Sequence, residues 1–542
     1  MAEPLATESA WAALATPAFR ALWIAALVSN LGTWIQDVGE VWTMTSLTTS
    51  PLLIALVETA TTLPVFALAI PAGAIADVLD RRRFLLVSQG WMLAVALAMF
   101  AVVSVGAMST TLLLVLIALL GVGTALTLPA LSAIIPEIVP RSQLSSAVTL
   151  NGVTVNVARA LGPAIGGLLV AVAGPAATFG LNSLSFVGMI VVLFVWRRPV
   201  SGGTLPAEDV VGAMRVGLRY VRHAPAMRAV LARVAGFAFP ASAIFALLPV
   251  LARIEIGVDA AQYGVLLGSL GTGAIAGAVG LPRLGRLLPI DRLAVAGGIL
   301  FAGVLGVLAL TRNVIVIGAA AFLSGVAWIA VLSTFNIAAQ TAAPAWVRAR
   351  ALAVYLLVFF GGYALGAFAW GALAARVGLS GAFAAAGGVL LLTTAASARY
   401  RLSPHAGLDL TPSRHWPEPI LRGYGPEDVE RPAKVTVEYR IDPSRTAEFL
   451  EAIRDQRRMR LRDGALRWDL AADAAEPGRF VESYDIESWT EHLRQHERVT
   501  VSDRQVEARV QRFHVGPEAP TVRHFLVHAV PSKRPESKRR KD

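Results

Sequence analysis

Twelve apolar runs, each near the roughly 20 residues a helix needs to cross the hydrocarbon core of a bilayer, constrain this chain more than any other feature. They fall at about 20–45, 51–72, 84–106, 110–135, 144–173, 176–196, 227–252, 261–282, 291–311, 314–341, 349–375 and 379–400. Only 16% of the residues are charged, against roughly a quarter in ordinary soluble domains, so a soluble globular fold is excluded for most of the sequence. The cysteine-free composition excludes disulfides and thiolate metal sites. The amino terminus carries Glu3 and Glu8 where a signal peptide would carry a basic region.

Cytoplasmic loops retain positive charge. With the amino terminus inside, the inner loops hold Arg81, Arg82, Arg83, Arg141, Arg197, Arg198, Arg283, Arg286, Arg348 and Arg350, among others, whereas the outer loops hold only Arg253, Arg312 and Arg376. Both termini and the central loop, 197–226, are therefore expected on the cytoplasmic side. Within that loop "VVGAMRVGLRYVRH" has the pattern of an amphipathic helix lying on the inner membrane surface.

The two halves repeat. An offset of 204 residues aligns Gly73 with Gly277, Pro140 with Pro344, Gly162 with Gly366 and Gly167 with Gly371, and "PAFRAL" from Pro17 resembles "PAMRAV" from Pro225. Six plus six helices related by such a repeat are what an alternating-access carrier requires, because two similar bundles can rock about a site at mid-membrane.

"GAIADVLDRRR" resembles the loop motif between the second and third spans of the major facilitator superfamily, with Gly73, Asp77, Arg81, Arg82 and Arg83 in matching places and Asp80 where that family carries glycine. "ARALGPAIGG" resembles the signature associated with exporters of the superfamily, through Gly162, Pro163, Gly166 and Gly167. More closely, "LPALSAIIPEIVPRSQLSSAVTLNGVTVNVARALGPAIGG" resembles the bacterial branch of enterobactin exporters and macrolide efflux proteins, the transmembrane secretion effectors. The resemblance implies a twelve-helix major facilitator fold in two six-helix bundles (1–196 and 227–401), located in the bacterial cytoplasmic membrane. It further implies export of a small organic molecule such as a siderophore or a drug, by proton antiport. In the loop motif it implies a cytoplasmic latch in which Asp77 approaches the start of the eleventh span, with Asp80 either pairing with the arginines beside it or joining the latch. The arginine that proton-coupled drug exporters of the superfamily carry in the fourth span has no counterpart here.

An ionisable group inside a span is costly and is a functional candidate by default. Asp37, Glu58 and Arg159 fall at similar depth in the outer half of the first, second and fifth spans, as a proton-coupling cluster or as a static ion pair. Asn30, Trp34 and Asp37 share one helix face. With Thr124, Thr127, Phe237, Phe245, Trp328 and Asn336 from the other cavity-lining spans, they are candidates for the wall of a large, mostly apolar pocket. Arg233, near an inner end, is expected to snorkel to the interface.

After a Pro-rich linker, 402–432, a change of pattern marks a soluble segment, 433–516, and every lysine lies at or after Lys434. "KVTVEYRI", "ALRWDLAA", "GRFVESYDI" and "QRFHVG" read as strands, interleaved with a helix after Pro443 and a two-piece helix after Ser488. That order is the β-α-β-β-α-β of a small α+β ferredoxin-like domain. "FVESYDIESWTEHLRQHERVT" resembles antibiotic-biosynthesis-monooxygenase-type domains, which implies pairing into a homodimer. His492 and His496 stand at i, i+4, but with no third ligand clustered in sequence they read as a solvated helix face, and no metal or cofactor is expected. Trp468, Tyr484 and Trp489 are core residues or line a small cavity. The basic end, 517–542, suits contact with anionic lipid; no basic folded surface suggests nucleic acid. Two competing readings are a membrane-anchored enzyme and an importer or sensor of the same fold. An anchor needs one span and no buried ions, and the "GPAIGG" segment opposes import.

Overall fold

The computed structural model of the chain describes residues 11–196, 210–344, 346–402, 409–413, 415–417, 419, 421 and 424–528, without the side chains at 69–70, 73–74, 76–78, 133, 136, 141, 145, 210–214 and 426–427. The chain separates into two compact units, Met1–Val210 with Ala229–Gln340 and Leu352–Pro404, and Val211–Arg228 with Thr341–Ala351 and His405–Asp542.

The first unit is helical. Its elements are α1 (Pro17–Leu47), α2 (Pro51–Val78), α3 (Arg81–Ser104), α4 (Thr110–Ile138), α5 (Leu144–Ala173) and α6 (Pro175–Val195), then α8 (Pro225–Pro249), α9 (Ala260–Leu287), α10 (Ile290–Leu310), α11 (Val314–Thr341) and α12 (Arg348–Ser397). The short helix α7 (Val210–His223) lies between the two sets. Among the described residues eleven helices are long and apolar enough to cross a membrane. The last of them, α12, spans 50 residues and is interrupted by Gly378, whose φ of 78° and ψ of 169° are non-helical. Glycine takes that backbone without the steric cost a Cβ would impose.

Helix starts follow from local chemistry. Pro17, Pro51 and Pro175 occupy first-turn positions, where the missing N–H costs nothing. Ser109 caps α4 through the Leu112 N–H, and Asp259 and Gln262 close a reciprocal capping box on α9.

The internal repeat has a geometric counterpart. A Cβ added to Gly162 would fall 2.4 Å from Cβ of Trp34 on α1, and one added to Gly366 would fall 2.2 Å from the Phe239 carbonyl oxygen on α8. A Cβ added to Gly167 would fall 2.4 Å from the Ala260 carbonyl oxygen of α9, and one added to Gly371 would fall 2.4 Å from Cβ of Ala55 on α2. Each glycine pair thus touches the equivalent helix in the repeat, the first helix of its own half or the second helix of the other. Gly121 and Gly325 extend the relation at the same offset, packing on Thr61 of α2 and Leu270 of α9.

The second unit contains a four-stranded antiparallel sheet in the order β2-β3-β1-β4, from β1 (Ala433–Arg440), β2 (Ala465–Ala472), β3 (Arg479–Ile486) and β4 (Thr521–Leu526). Helices α13 (Thr446–Asp463), α14 (Trp489–Arg498) and α15 (Val501–Gln511) complete it. The strand that closes the sheet is not "QRFHVG". There, only His514 bridges, to Ile441, and the closing strand lies within the segment expected to be a basic tail. Its residues are mostly exposed, so no alternation of apolar and polar positions marked it. Part of the linker is also structured, since Thr411 and Ser413 exchange backbone hydrogen bonds with Val501 and Val499.

Helix α7 packs against protein. Tyr220 Oη donates to the Ala342 carbonyl (2.6 Å), the Tyr220 and Trp346 rings meet edge to face, and Arg219 lies 3.4 Å from Glu491. The sequence assigned this amphipathic face to the membrane surface. The structure covers it with the 341–351 segment and the soluble domain.

Candidate functional site

The in-span acids stand close together. Asp37 lies within electrostatic range of Glu40 and Glu58, and Glu40 was not anticipated. Gln36 Nε2 donates to Glu40 Oε1 (2.8 Å), and Asn182 Nδ2 on α6 donates in turn to Gln36 Oε1 (2.8 Å). Tyr363 Oη on α12 donates to Glu58 Oε2 (3.3 Å). The same phenol lies within range of Arg159 and Asp37. The described hydrogen-bond partners of Glu40 and Glu58 are therefore neutral.

Arg159 approaches this group through Tyr363, and its guanidinium carbon lies 5.4 Å from the centroid of Trp34. Its Nε is buried without a hydrogen bond among the described residues. The expected trio thus comes together around Tyr363 and Trp34, and no direct ion pair of Arg159 with Asp37 or Glu58 is found among the described residues.

The expected cavity wall divides. Asn30 Nδ2 bonds back to the Ala26 carbonyl (2.7 Å) and Thr124 Oγ1 to the Leu120 carbonyl (3.2 Å), both half-buried. Thr127, half-buried, contacts α3, taking Gln89 Nε2 at 3.3 Å and donating to Ser88 at 3.1 Å. Phe237 and Trp328 are buried in an aromatic cluster with Phe245, Phe301, Phe335 and Tyr363, the ring centroids 5.0–6.2 Å apart. Asn336 is half-buried and accepts from Gln340 Nε2 at 2.5 Å. Arg233 does not snorkel. It is buried, 2.8 Å from Asp291 Oδ1, and donates to the Tyr400 carbonyl (2.8 Å), because α10 places a counter-charge beside it.

In the glycine motif, Gly162 and Gly166 admit Trp34 and Ile35 of α1, while Gly167 and the Pro163 carbonyl face Gly264 of α9. Backbones approach this closely only where side chains are absent. Pro163 is accommodated inside α5.

In the loop motif the side chains of Gly73 and Asp77 lie outside the described residues. Asp80 is the N-cap of α3, accepting the Arg83 N–H at 2.8 Å. That is a local role which aspartate fills and glycine fills less well. Arg81 pairs with Glu137 on α4 at 2.9 Å, and Arg82 donates to the Leu193 and Phe194 carbonyls at the end of α6 (2.7 and 2.6 Å). Arg81 and Arg82 thus tie α3 to its neighbours.

The soluble unit encloses a cavity of about 350 Å³, lined among others by Trp416, Arg460, Tyr484, His492, His496, Glu507 and His524. Of the three aromatics singled out in the sequence, Tyr484 faces it, while Trp468 and Trp489 pack in apolar clusters. His492 is 1% exposed, which corrects the solvated helix face. The helix turns this side inward, where β4 supplies a third histidine. Burial and the neighbouring His496 and His524 push His492 down to about 3, and burial with His524 and Arg460 pushes His496 down to about 4. Burial alone would raise Glu507, but Arg460 and hydrogen bonds from His415 and Trp416 hold it below the usual carboxylate range.

The family described as transmembrane secretion effector matches residues 8–532. The chain belongs to that family, within the major facilitator superfamily. This secretion effector is 28% identical over 268 residues to the enterobactin exporter of Salmonella typhi, covering 48% of the chain and 63% of that protein. It thus spans under two thirds of the length of that relative. It is 27% identical to the multidrug efflux pump Tap of Mycolicibacterium fortuitum, over 67% of the chain and 90% of the pump. It is also 27% identical to the staphyloferrin A transporter of Staphylococcus aureus, over 30% of the chain and 42% of the transporter. Its fold matches a peptide transporter with a TM-score of 0.57 at 16% identity, covering 72% of the chain and 94% of that structure. The family to which the chain belongs is one of multi-span membrane transporters.

Sequence reasoning missed Glu40, Tyr363 and His524 in this secretion effector. Glu40 carried a signal, being an acid one turn beyond Asp37 inside the same helix. Tyr363 carried none, because a neutral phenol 305 residues from Glu58 does not announce a contact.

Proposed function

We propose that this transporter is a secondary active exporter that carries a bulky, amphipathic organic compound, a siderophore or a drug such as a macrolide, across the bacterial cytoplasmic membrane by alternating access in exchange for protons. The observation that carries the reading is the set of in-span carboxylates, Asp37, Glu40 and Glu58, of which Glu40 and Glu58 receive hydrogen bonds from the neutral Gln36 and Tyr363. A carboxylate paired with arginine stays ionised, whereas one beside a phenol or an amide changes protonation when its surroundings wet or dry. Asp37 or Glu58 takes the proton, and Arg159, on approach, favours its release.

The break at Gly378 separates an eleventh from a twelfth span, which completes six plus six. Arginine placement puts both termini and the soluble domain in the cytoplasm, and that domain pairs with a second copy of itself. Asn30, Trp34, Thr124, Phe245 and Asn336 line the substrate path, with an aromatic wall suited to apolar surface. The export direction is supported by the glycine motif on α5 and by the printed functions of the enterobactin and multidrug relatives.

The test is full-length protein in proteoliposomes under an imposed pH gradient, with a panel of macrolides and catecholates. Gradient-driven accumulation of at least one panel compound, abolished by a protonophore, is expected. Asp37→Asn or Glu58→Gln lowers it at least about tenfold, a barrier change of ~1.4 kcal/mol, while downhill exchange persists. Undiminished gradient-driven transport in both variants would overturn proton coupling at this cluster.

A further inference from the structure

We propose that His492, His496 and His524 form a binding site for a divalent first-row transition-metal ion. Helix α14 contributes two imidazoles one turn apart, and β4, paired with β1 through Val435 opposite His524, contributes the third. One ring nitrogen from each of the three lies within 4.8 Å of the others. Nε2 of His492 and Nε2 of His496 are 3.3 Å apart. Two nitrogens bound at ~2.0–2.1 Å in tetrahedral geometry stand about 3.4 Å from each other, so this pair already has the spacing of one edge of a coordination tetrahedron.

The surrounding groups orient the ligands. His492 Nδ1 is 3.2 Å from Gln495 Oε1, a carbonyl oxygen that only accepts. The proton therefore sits on Nδ1 and the Nε2 lone pair faces His496, the arrangement in which a second partner fixes the tautomer of a metal ligand. Trp489 packs edge-on against both His492 and His524, holding the two rings in place. Imidazole donors suit zinc, copper, nickel and iron over magnesium or calcium.

Three protein ligands leave a fourth position open. Here the three histidines line the 350 Å³ cavity, so that position faces a space large enough for a small organic ligand. The site is thus of the exchangeable kind and not a closed structural centre. The inference stands apart from the transport reading, because every residue in it belongs to the soluble unit.

The test uses the full-length chain, purified without a polyhistidine tag, stripped with chelator and titrated with Co2+. One Co2+ per chain with the strong visible absorption of four-coordinate cobalt is expected, displaced by Zn2+. His496→Gln and His524→Gln each abolish that absorption, while His514→Gln, whose ring bonds the Arg440 N–H outside the cluster, leaves it unchanged. Gln495→Leu weakens Co2+ binding by about tenfold or more. A measurement that needs no variant is diethyl pyrocarbonate modification of the wild-type chain, mapped by mass spectrometry: Zn2+ should protect His496 and His524 at least about tenfold. Absence of Co2+ binding, binding unchanged in the His496→Gln/His524→Gln double variant, or equal modification with and without Zn2+ would each overturn the site.

Discussion

The two units handle buried charge in opposite ways. In the soluble unit charges are met by opposite charges. Arg460 lies 3.3 Å from Glu482 and 2.8 Å from Glu507, Arg462 is 2.7 Å from both Asp463 and Asp503, and Arg498 is 2.5 Å from Glu491. In the helical unit Glu40 and Glu58 receive hydrogen bonds from an amide and a phenol. The first arrangement matches each buried charge with a counter-charge and holds a fold in one state. The second leaves a carboxyl free to exist in either form, at a cost to stability that a static scaffold would not carry. Arg233 with Asp291 shows that the helical unit is able to pair charges where only structure is at stake.

Breaking the locked side of this contrast should have the largest effect. Arg460→Met leaves Glu482 and Glu507 buried without their shared cation, so the soluble domain should lose ~3–5 kcal/mol. Hydrogen exchange over β1 and β3 in the full chain would measure it, and an unchanged protection pattern would remove the contrast.

A smaller effect is expected at the labile side. Tyr363→Phe removes one hydrogen bond to Glu58, and with a net worth of ~1 kcal/mol gradient-driven transport should fall about fivefold, with its pH optimum displaced. Equal rates and an unmoved optimum would show that the phenol serves packing alone.

The smallest effect belongs to Asp80, a charge whose place is explained by neither category. Asp80→Asn preserves the cap and should leave stability and transport within about twofold, whereas Asp80→Ala should cost ~1 kcal/mol of stability. A large transport defect in the asparagine variant, with stability intact, would return Asp80 to the gate.

Much of this was legible in the sequence, for reasons that differ by element. The spans announce themselves because a membrane allows only continuous apolar helices, and β1 to β3 because alternation marks strands with one buried face. β4 did not, since "TVRHFL" lies at the sheet edge with its residues mostly exposed, and the third histidine was lost with it. Asp37 and Glu58 were legible as acids out of place, but their neutral partners were not, because an amide or a phenol in a helix is unremarkable until the fold brings it across. Arg233 misled for the converse reason, as a charged group whose partner lies on an adjacent helix.

The seam between α5 and α9 has a mechanical consequence. Where Gly167 meets Gly264 and Gly271 meets Ala160, backbone lies against backbone with no side chains between. Interdigitated side chains act as cogs and hold two helices in one register, so turning them requires each tooth to climb over its neighbour. A smooth glycine contact has no teeth. Under the alternating access proposed above it would work as a bearing, close enough to keep lipid and water out of the joint and featureless enough to let one half of the molecule turn on the other with little friction.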